Sequence, residues 1–167
     1  MQVKFARSIL AGAAVAAGLA LTTPTVASAQ IGFVVQGQYG VDYEAIGVGG
    51  GVNFGLGSLT ERHGVRAEAT FDYFLVDDPL SAWEINANVL YDLPSTPGLY
   101  LGAGLNYVTI SVDCEVCEVF GYDADASEVG RNLLGGWKFA GDKGPFVFGR
   151  FALGGGEQLY VGGGFRF

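Results

Sequence analysis

The chain has one histidine, two cysteines, one methionine and five prolines in 167 residues. Two cysteines exclude a disulfide-dense scaffold. One histidine leaves little for metal or nucleophile–base chemistry. Positive charge is scarce, with nine Lys and Arg against seventeen Asp and Glu, so there is no basic footprint for nucleic acid. Charged residues of all kinds make up only 16%, beside 50% hydrophobic, which excludes a disordered chain. Long apolar runs are missing too. The longest, Ile9 to Leu21, is thirteen residues, short of the roughly 20 that a spanning helix needs. Glycine is what the chain has in excess, at 28 residues. It follows no three-residue period, so collagen is excluded. One domain is the natural count at this length.

The N-terminus reads as an export signal. Lys4 and Arg7 precede the apolar run, Thr22, Thr23 and Pro24 break it, and Ala27-Ser28-Ala29 supplies the small residues of a peptidase site. Cleavage after Ala29 divides the chain into a signal peptide, 1–29, and a mature domain, 30–167.

The mature part alternates with a period of two, the mark of strands with unlike faces. The first strand sets Ile31, Phe33, Val35, Tyr39 and Val41 against Gly32, Gln36, Gln38, Gly40 and Asp42. Seven further segments repeat the pattern, at 46–56, 65–75, 83–93, 99–107, 128–139, 146–153 and 158–167. The seventh is weakest, because Phe stands in both of its rows, and the sixth carries Arg131 in its apolar row. Turn signals such as Pro94-Ser95-Thr96-Pro97-Gly98 and Gly141-Asp142-Lys143-Gly144-Pro145 separate segments.

Eight such strands predict an all-β fold, an antiparallel up-and-down barrel. A soluble, lipocalin-like barrel would hold the apolar row inside, and a membrane barrel would hold it outside. An eight-stranded interior has room only for side chains or one small ligand, and roughly five bulky apolar residues per strand exceed it. The other row, rich in glycine with a few charges and amides, fits a narrow lumen. If the first strand rises from the periplasm, Tyr39, Tyr73, Trp83 and Tyr107 fall near upper strand ends. Phe33, Phe54, Tyr91, Trp137, Phe139, Phe165 and Phe167 then fall near lower ends, as two interfacial belts. Upper connections are expected to be the longer ones and carry most of the acid, including Asp42, Glu44, Asp77, Asp78, Asp113, Glu115, Glu118, Asp123, Asp125 and Glu157.

On these residues, and on the closing run Tyr160-Val161-Gly162-Gly163-Gly164-Phe165-Arg166-Phe167, the chain resembles small outer-membrane β-barrel proteins of the OmpA/OmpX and opacity-protein type. The resemblance covers 30–167. It implies a transmembrane barrel in the outer membrane of a Gram-negative bacterium. It also implies that Phe165 and Phe167 form the signal read by the barrel assembly machinery.

Several residues could carry chemistry. Arg66, Glu68, Asp72, Glu84, Lys138, Arg150 and Arg166 share the inward row and are expected to plug the lumen with paired charges. The alternative is a narrow, gated channel for small solutes. Cys114-Glu115-Val116-Cys117 lies in the longest upper connection of an exported chain, where a local disulfide is expected. A metal site helped by Asp113, Glu115 and Glu118 is the weaker alternative, since two thiolates without a nearby histidine make a poor zinc site. No calcium-loop spacing is present. His63 and Ser58 both fall in a lower turn with no third group, so no catalytic site, and no cofactor, is expected. The functional expectation is a structural or surface-interaction protein. Its partners are outer-membrane lipid, the assembly machinery and a host or environmental ligand at the acidic loops, with no nucleic acid.

Overall fold

The computed structural model describes residues 31–42, 44–56, 64–76, 80–112, 126–154 and 158–167. The signal segment, its cleavage point, Ser58, His63, Cys114 and Cys117 lie outside the described residues.

Eight strands follow one another. They are β1 (Ile31–Gly40), β2 (Ala45–Gly55), β3 (Val65–Leu75), β4 (Leu80–Asp92), β5 (Leu99–Val112), β6 (Ala126–Lys138), β7 (Gly144–Leu153) and β8 (Gln158–Arg166). Each pairs antiparallel with the next, and β1 closes on β8 from Val34↔Arg166 to Gly40↔Tyr160. Phe167 N–H donates to the Phe33 carbonyl at 3.0 Å and extends that seam. Closure removes both sheet edges, which a membrane-spanning sheet requires.

The two rows separate as the alternation predicts. Along β1, Ile31, Phe33, Val35, Gly37 and Tyr39 are exposed and every residue between them is buried. In β7, Phe146 and Phe148 turn inward while Val147 and Phe151 turn outward. Phenylalanine therefore serves both as wall and as filling, which is why that strand read weakly.

Two differences have physical causes. β5 runs to Val112 rather than stopping near Tyr107, and its polarity changes phase on the way. Below, Leu99, Leu101, Leu105 and Tyr107 point outward; above, Val108 is buried inside, and the outward row continues through Thr109, itself buried, to the half-buried Ser111. The β-branched residues keep the chain extended, but an apolar exterior ends where lipid ends. The second difference is in the connections. Three of the four upper ones are only four residues each, 41–44, 76–79 and 154–157, while the lower ones span 56–64, 93–98 and 139–143. The expected length asymmetry therefore rests on residues 113–125 alone, because β4 begins at Leu80, three residues before the alternation becomes clear.

The lower turn at 93–98 needs its glycine. Gly98 has φ +96, and a Cβ there would lie 2.8 Å from the Lys138 carbonyl oxygen. The Gly98 carbonyl in turn accepts the Lys138 N–H at 2.8 Å, tying the turn to β6.

Candidate functional site: the barrel lumen

Inward glycines sit opposite large inward side chains across the ladders. Gly47 faces Phe74, Gly49 faces Asp72, Gly104 faces Asn88, Gly136 faces Tyr100, Gly162 faces Phe148 and Gly164 faces Phe146. Each partner leans over its glycine. A Cβ on Gly47 would meet the Phe74 ring at 2.8 Å, and one on Gly164 the Phe146 ring at 2.9 Å. Glycine thus makes room for aromatic rings as much as for charges.

The filling has three levels. At the upper end Ala45, Phe74, Ala152 and Tyr160 form an apolar cluster, with the Phe74 and Tyr160 rings 5.6 Å apart. Below it lies a polar network contributed by six strands. Arg150 Nη2 donates to Glu84 Oε2 at 2.7 Å and to Gln38 Oε1 at 3.2 Å, and Arg150 Nη1 donates to Asn86 Oδ1. Asn106 donates to the other Glu84 oxygen at 2.9 Å. The Arg150 guanidinium also stacks on the Tyr160 ring, 4.2 Å from its centroid. Asp72 meets neutral donors rather than a cation: Gln36 at 2.8 Å, Asn86 at 3.1 Å and Thr70 at 3.2 Å. Asn132 donates to Asn86 at 2.7 Å and to Asn88 at 3.2 Å. Asn86 is therefore the hub, joining an acid on β3, a base on β7 and an amide on β6. Buried polar groups must find such partners, because an unpaired one loses its hydration without return.

The lower level is built from ion pairs and rings. Arg166 Nε donates to Glu68 Oε2 at 3.0 Å. The Arg166 guanidinium lies 3.9 Å from the Phe146 centroid, and Arg166 and Arg66 lie 5.2 and 5.0 Å from the Tyr100 centroid. At the mouth, Asp92 is shared by Arg66 at 2.5 Å and Lys138 at 2.7 Å, and Lys138 also reaches Asp142 at 2.7 Å. Through the lumen four cations, Arg66, Lys138, Arg150 and Arg166, balance four carboxylates, Glu68, Asp72, Glu84 and Asp92. A cavity of about 20 Å³ remains between the two charged levels, lined by Glu68, Thr70, Asn88, Tyr100 and Phe146 among others. That is room for about one water.

The seven inward charges named from sequence all fall in this filling. Asp92 is the further lumen charge: parity puts it in the same inward row as Glu84, Asn86, Asn88 and Leu90, although it is not among the seven. Parity also puts the amides Gln36, Asn86, Asn106 and Asn132 in the inward row, but nothing in a sequence says which inward amide meets which charge.

In the lower turn, the hydrogen bond from Lys138 holds the Asp142 carboxyl below the ordinary carboxylate range. A carboxyl lowered on folding adds stability that is full above its unfolded value of 3.8 and fades as pH falls through the folded value. Asp142→Asn should therefore cost under about 1 kcal/mol at pH 7, since the carboxylate itself is mostly solvated and Lys138 keeps Asp92. The difference from the parent should vanish in strong acid, as read from urea midpoints across a pH series.

Comparison with protein-family models and with curated proteins gives no match. Among solved structures, the N-terminal β-barrel domain of Pseudomonas aeruginosa OprF is similar at 16% identity and a TM-score of 0.59, covering 82% of this chain and 96% of that one. Neisserial surface protein A is similar at 16% identity and 0.51, covering 81% and 92%. A de novo designed transmembrane β-barrel is similar at 10% identity and 0.50, covering 86% and 100%. The chain has the fold of the small eight-stranded transmembrane barrels.

Proposed function

We propose that this chain is an integral outer-membrane protein whose barrel is a plugged scaffold with a structural or surface-interaction role. One observation carries the reading: the molecule is inside out for water. Phe33 is 61% and Val129 65% exposed on the wall, while Glu84 is 0% and Arg166 2% exposed within. A water-soluble protein would expose a continuous apolar belt at great cost, and lipid removes that cost. The aromatic residues support it, since Trp83 touches Tyr107 near the upper ends and Phe165 touches Phe167 at the lower, with centroids 5.7 and 5.0 Å apart. Export through the 1–29 signal and recognition of Phe165 and Phe167 during assembly belong to the same reading. So does a surface role for the acidic upper rim. There Asp42 is occupied in part, accepting the Leu159 N–H at 3.2 Å, while Glu128 is exposed. The balanced, filled lumen favours a plug over a solute path.

Outer-membrane fractionation together with heat-dependent mobility on a detergent gel tests the reading. The expected result is a membrane-bound band that shifts on boiling; a protein found in the soluble periplasm without detergent would refute it. In planar bilayers the barrel should give no discrete openings across salt conditions, and steady openings would return the channel alternative.

A further inference from the structure

Arg131 is the one charged side chain in the outward row of the strands among the described residues. It is exposed, and no carboxylate among the described residues pairs with it. A lipid-facing arginine costs about 2–4 kcal/mol at the bilayer midplane but about 0–1 near the interface, so its depth matters. The ladders set Arg131 between Leu105 on β5 and Leu153, the last residue of β7. Tyr107 is two residues higher on β5, and above it the outward row continues through Thr109, which is buried, and the half-buried Ser111. Arg131 therefore starts about 7 Å along the strand below Tyr107. A long cationic side chain bridges that distance with its stem on apolar surface and its head at the interface.

Beside it the wall is not flush. β7 ends at Leu153 and the chain turns at Gly154 with φ +77, while β5 and β6 continue upward. The step leaves a groove of about 530 Å³ lined by Leu105, Val129, Gly130, Arg131, Leu153 and Gly154. Among the described residues, three apolar side chains, two glycines and one guanidinium without a carboxylate partner make its walls. Above them, Thr109 Oγ1 and Ser127 Oγ lie 3.1 Å apart. By register Leu105 and Leu153 flank Arg131 at one level, Val129 and Tyr107 stand one step higher, and the Thr109 and Ser127 hydroxyls one step above those. An acyl chain against the two leucines brings a lipid's phosphate within reach of the guanidinium and its polar head toward the hydroxyls.

We propose that this groove binds one phosphate-bearing anionic lipid, its acyl chain along Leu105 and Leu153, its phosphate on Arg131 and its head beside Val129 and Ser127. The planar guanidinium suits a phosphate, which it meets through two parallel N–H donors. The proposal rests on the reading that this wall faces lipid.

The test uses the mature barrel folded in maltoside micelles and native mass spectrometry with dioleoyl phosphatidic acid, dioleoylglycerol and inorganic phosphate. The parent should retain one phosphatidic acid in preference to dioleoylglycerol and should not retain inorganic phosphate. Arg131→Ala, or Arg131→Gln if the alanine variant lacks the heat-shifted band of a folded barrel, should bind phosphatidic acid roughly fivefold more weakly, as for one basic residue at a membrane surface. Unchanged retention by a folded variant overturns the site, as does inorganic phosphate held as tightly as the lipid. A parent that stays folded and soluble without micelles overturns the membrane reading itself, before any lipid is added.

Discussion

Replacing Glu84 by alanine is expected to destabilise the barrel by about 3–5 kcal/mol, the largest effect of any single change considered. Glu84 is fully buried and accepts from Arg150 at 2.7 Å and from Asn106 at 2.9 Å. Its loss strands the Arg150 guanidinium in a filled lumen, with the Asn86 and Gln38 oxygens, the Tyr160 ring and the charge of Asp72, which does not hydrogen-bond to it, left to meet it. The charge has lost its counterion and has no water to replace it. The paired variant Glu84→Met with Arg150→Met should recover most of the loss, because two apolar groups of similar length leave nothing uncompensated. Urea titration of the refolded barrel in micelles measures both, followed by fluorescence of Trp83 and Trp137 on the outward row. If the single and double variants unfold at the same urea concentration, the pair is not coupled and the lumen is less dry than its geometry implies.

The second large effect concerns the wall. Gly51→Ala puts a Cβ against the Ala69 carbonyl oxygen and 2.8 Å from the Thr70 Cα. Those atoms are backbone of β3 and cannot swing aside as a side chain would. Overpacking of this kind costs about 1–3 kcal/mol, and Gly51→Val should cost more. Gly55 lies on the same row of the same strand, yet a Cβ there has nothing within 4 Å. Gly55→Ala should be neutral or stabilising by up to about 1 kcal/mol, through the unfolded chain. Equal urea midpoints for the Gly51 and Gly55 variants would mean that β2 and β3 separate freely, contrary to the tight ladder.

How much of this was legible beforehand depended on phase. Along β1 and β8 the apolar row keeps one parity from end to end, so Phe33 and Phe165 could be assigned to the wall and Gln36 and Arg166 to the lumen by counting. Parity also placed Glu84 and Arg150 inside. It could not pair them, because pairing depends on the stagger between β4 and β7, strands that are not neighbours. The upper half of β5 escaped for the opposite reason. Val108 in the inward row and Thr109 in the outward one are both buried, so polarity no longer marks parity, and a reader following it sees the strand end there. Parity put Asp92 in the lumen row as well, but its sharing between Arg66 and Lys138 needed the register of three strands. Arg131 was visible as an exception in its row, but its meaning needed the shorter β7 beside it.

The opposition of glycine and bulk across the ladders has a consequence for engineering. The bore of this barrel is set by the staves, while its patency is set by residues that lean over glycines and can be trimmed without touching the staves. Shortening Phe146, Phe148 and Tyr100, each lying over a glycine already present, would hollow the lower half into a passage whose rim charges, Arg66, Asp92 and Lys138, then become its ion filter.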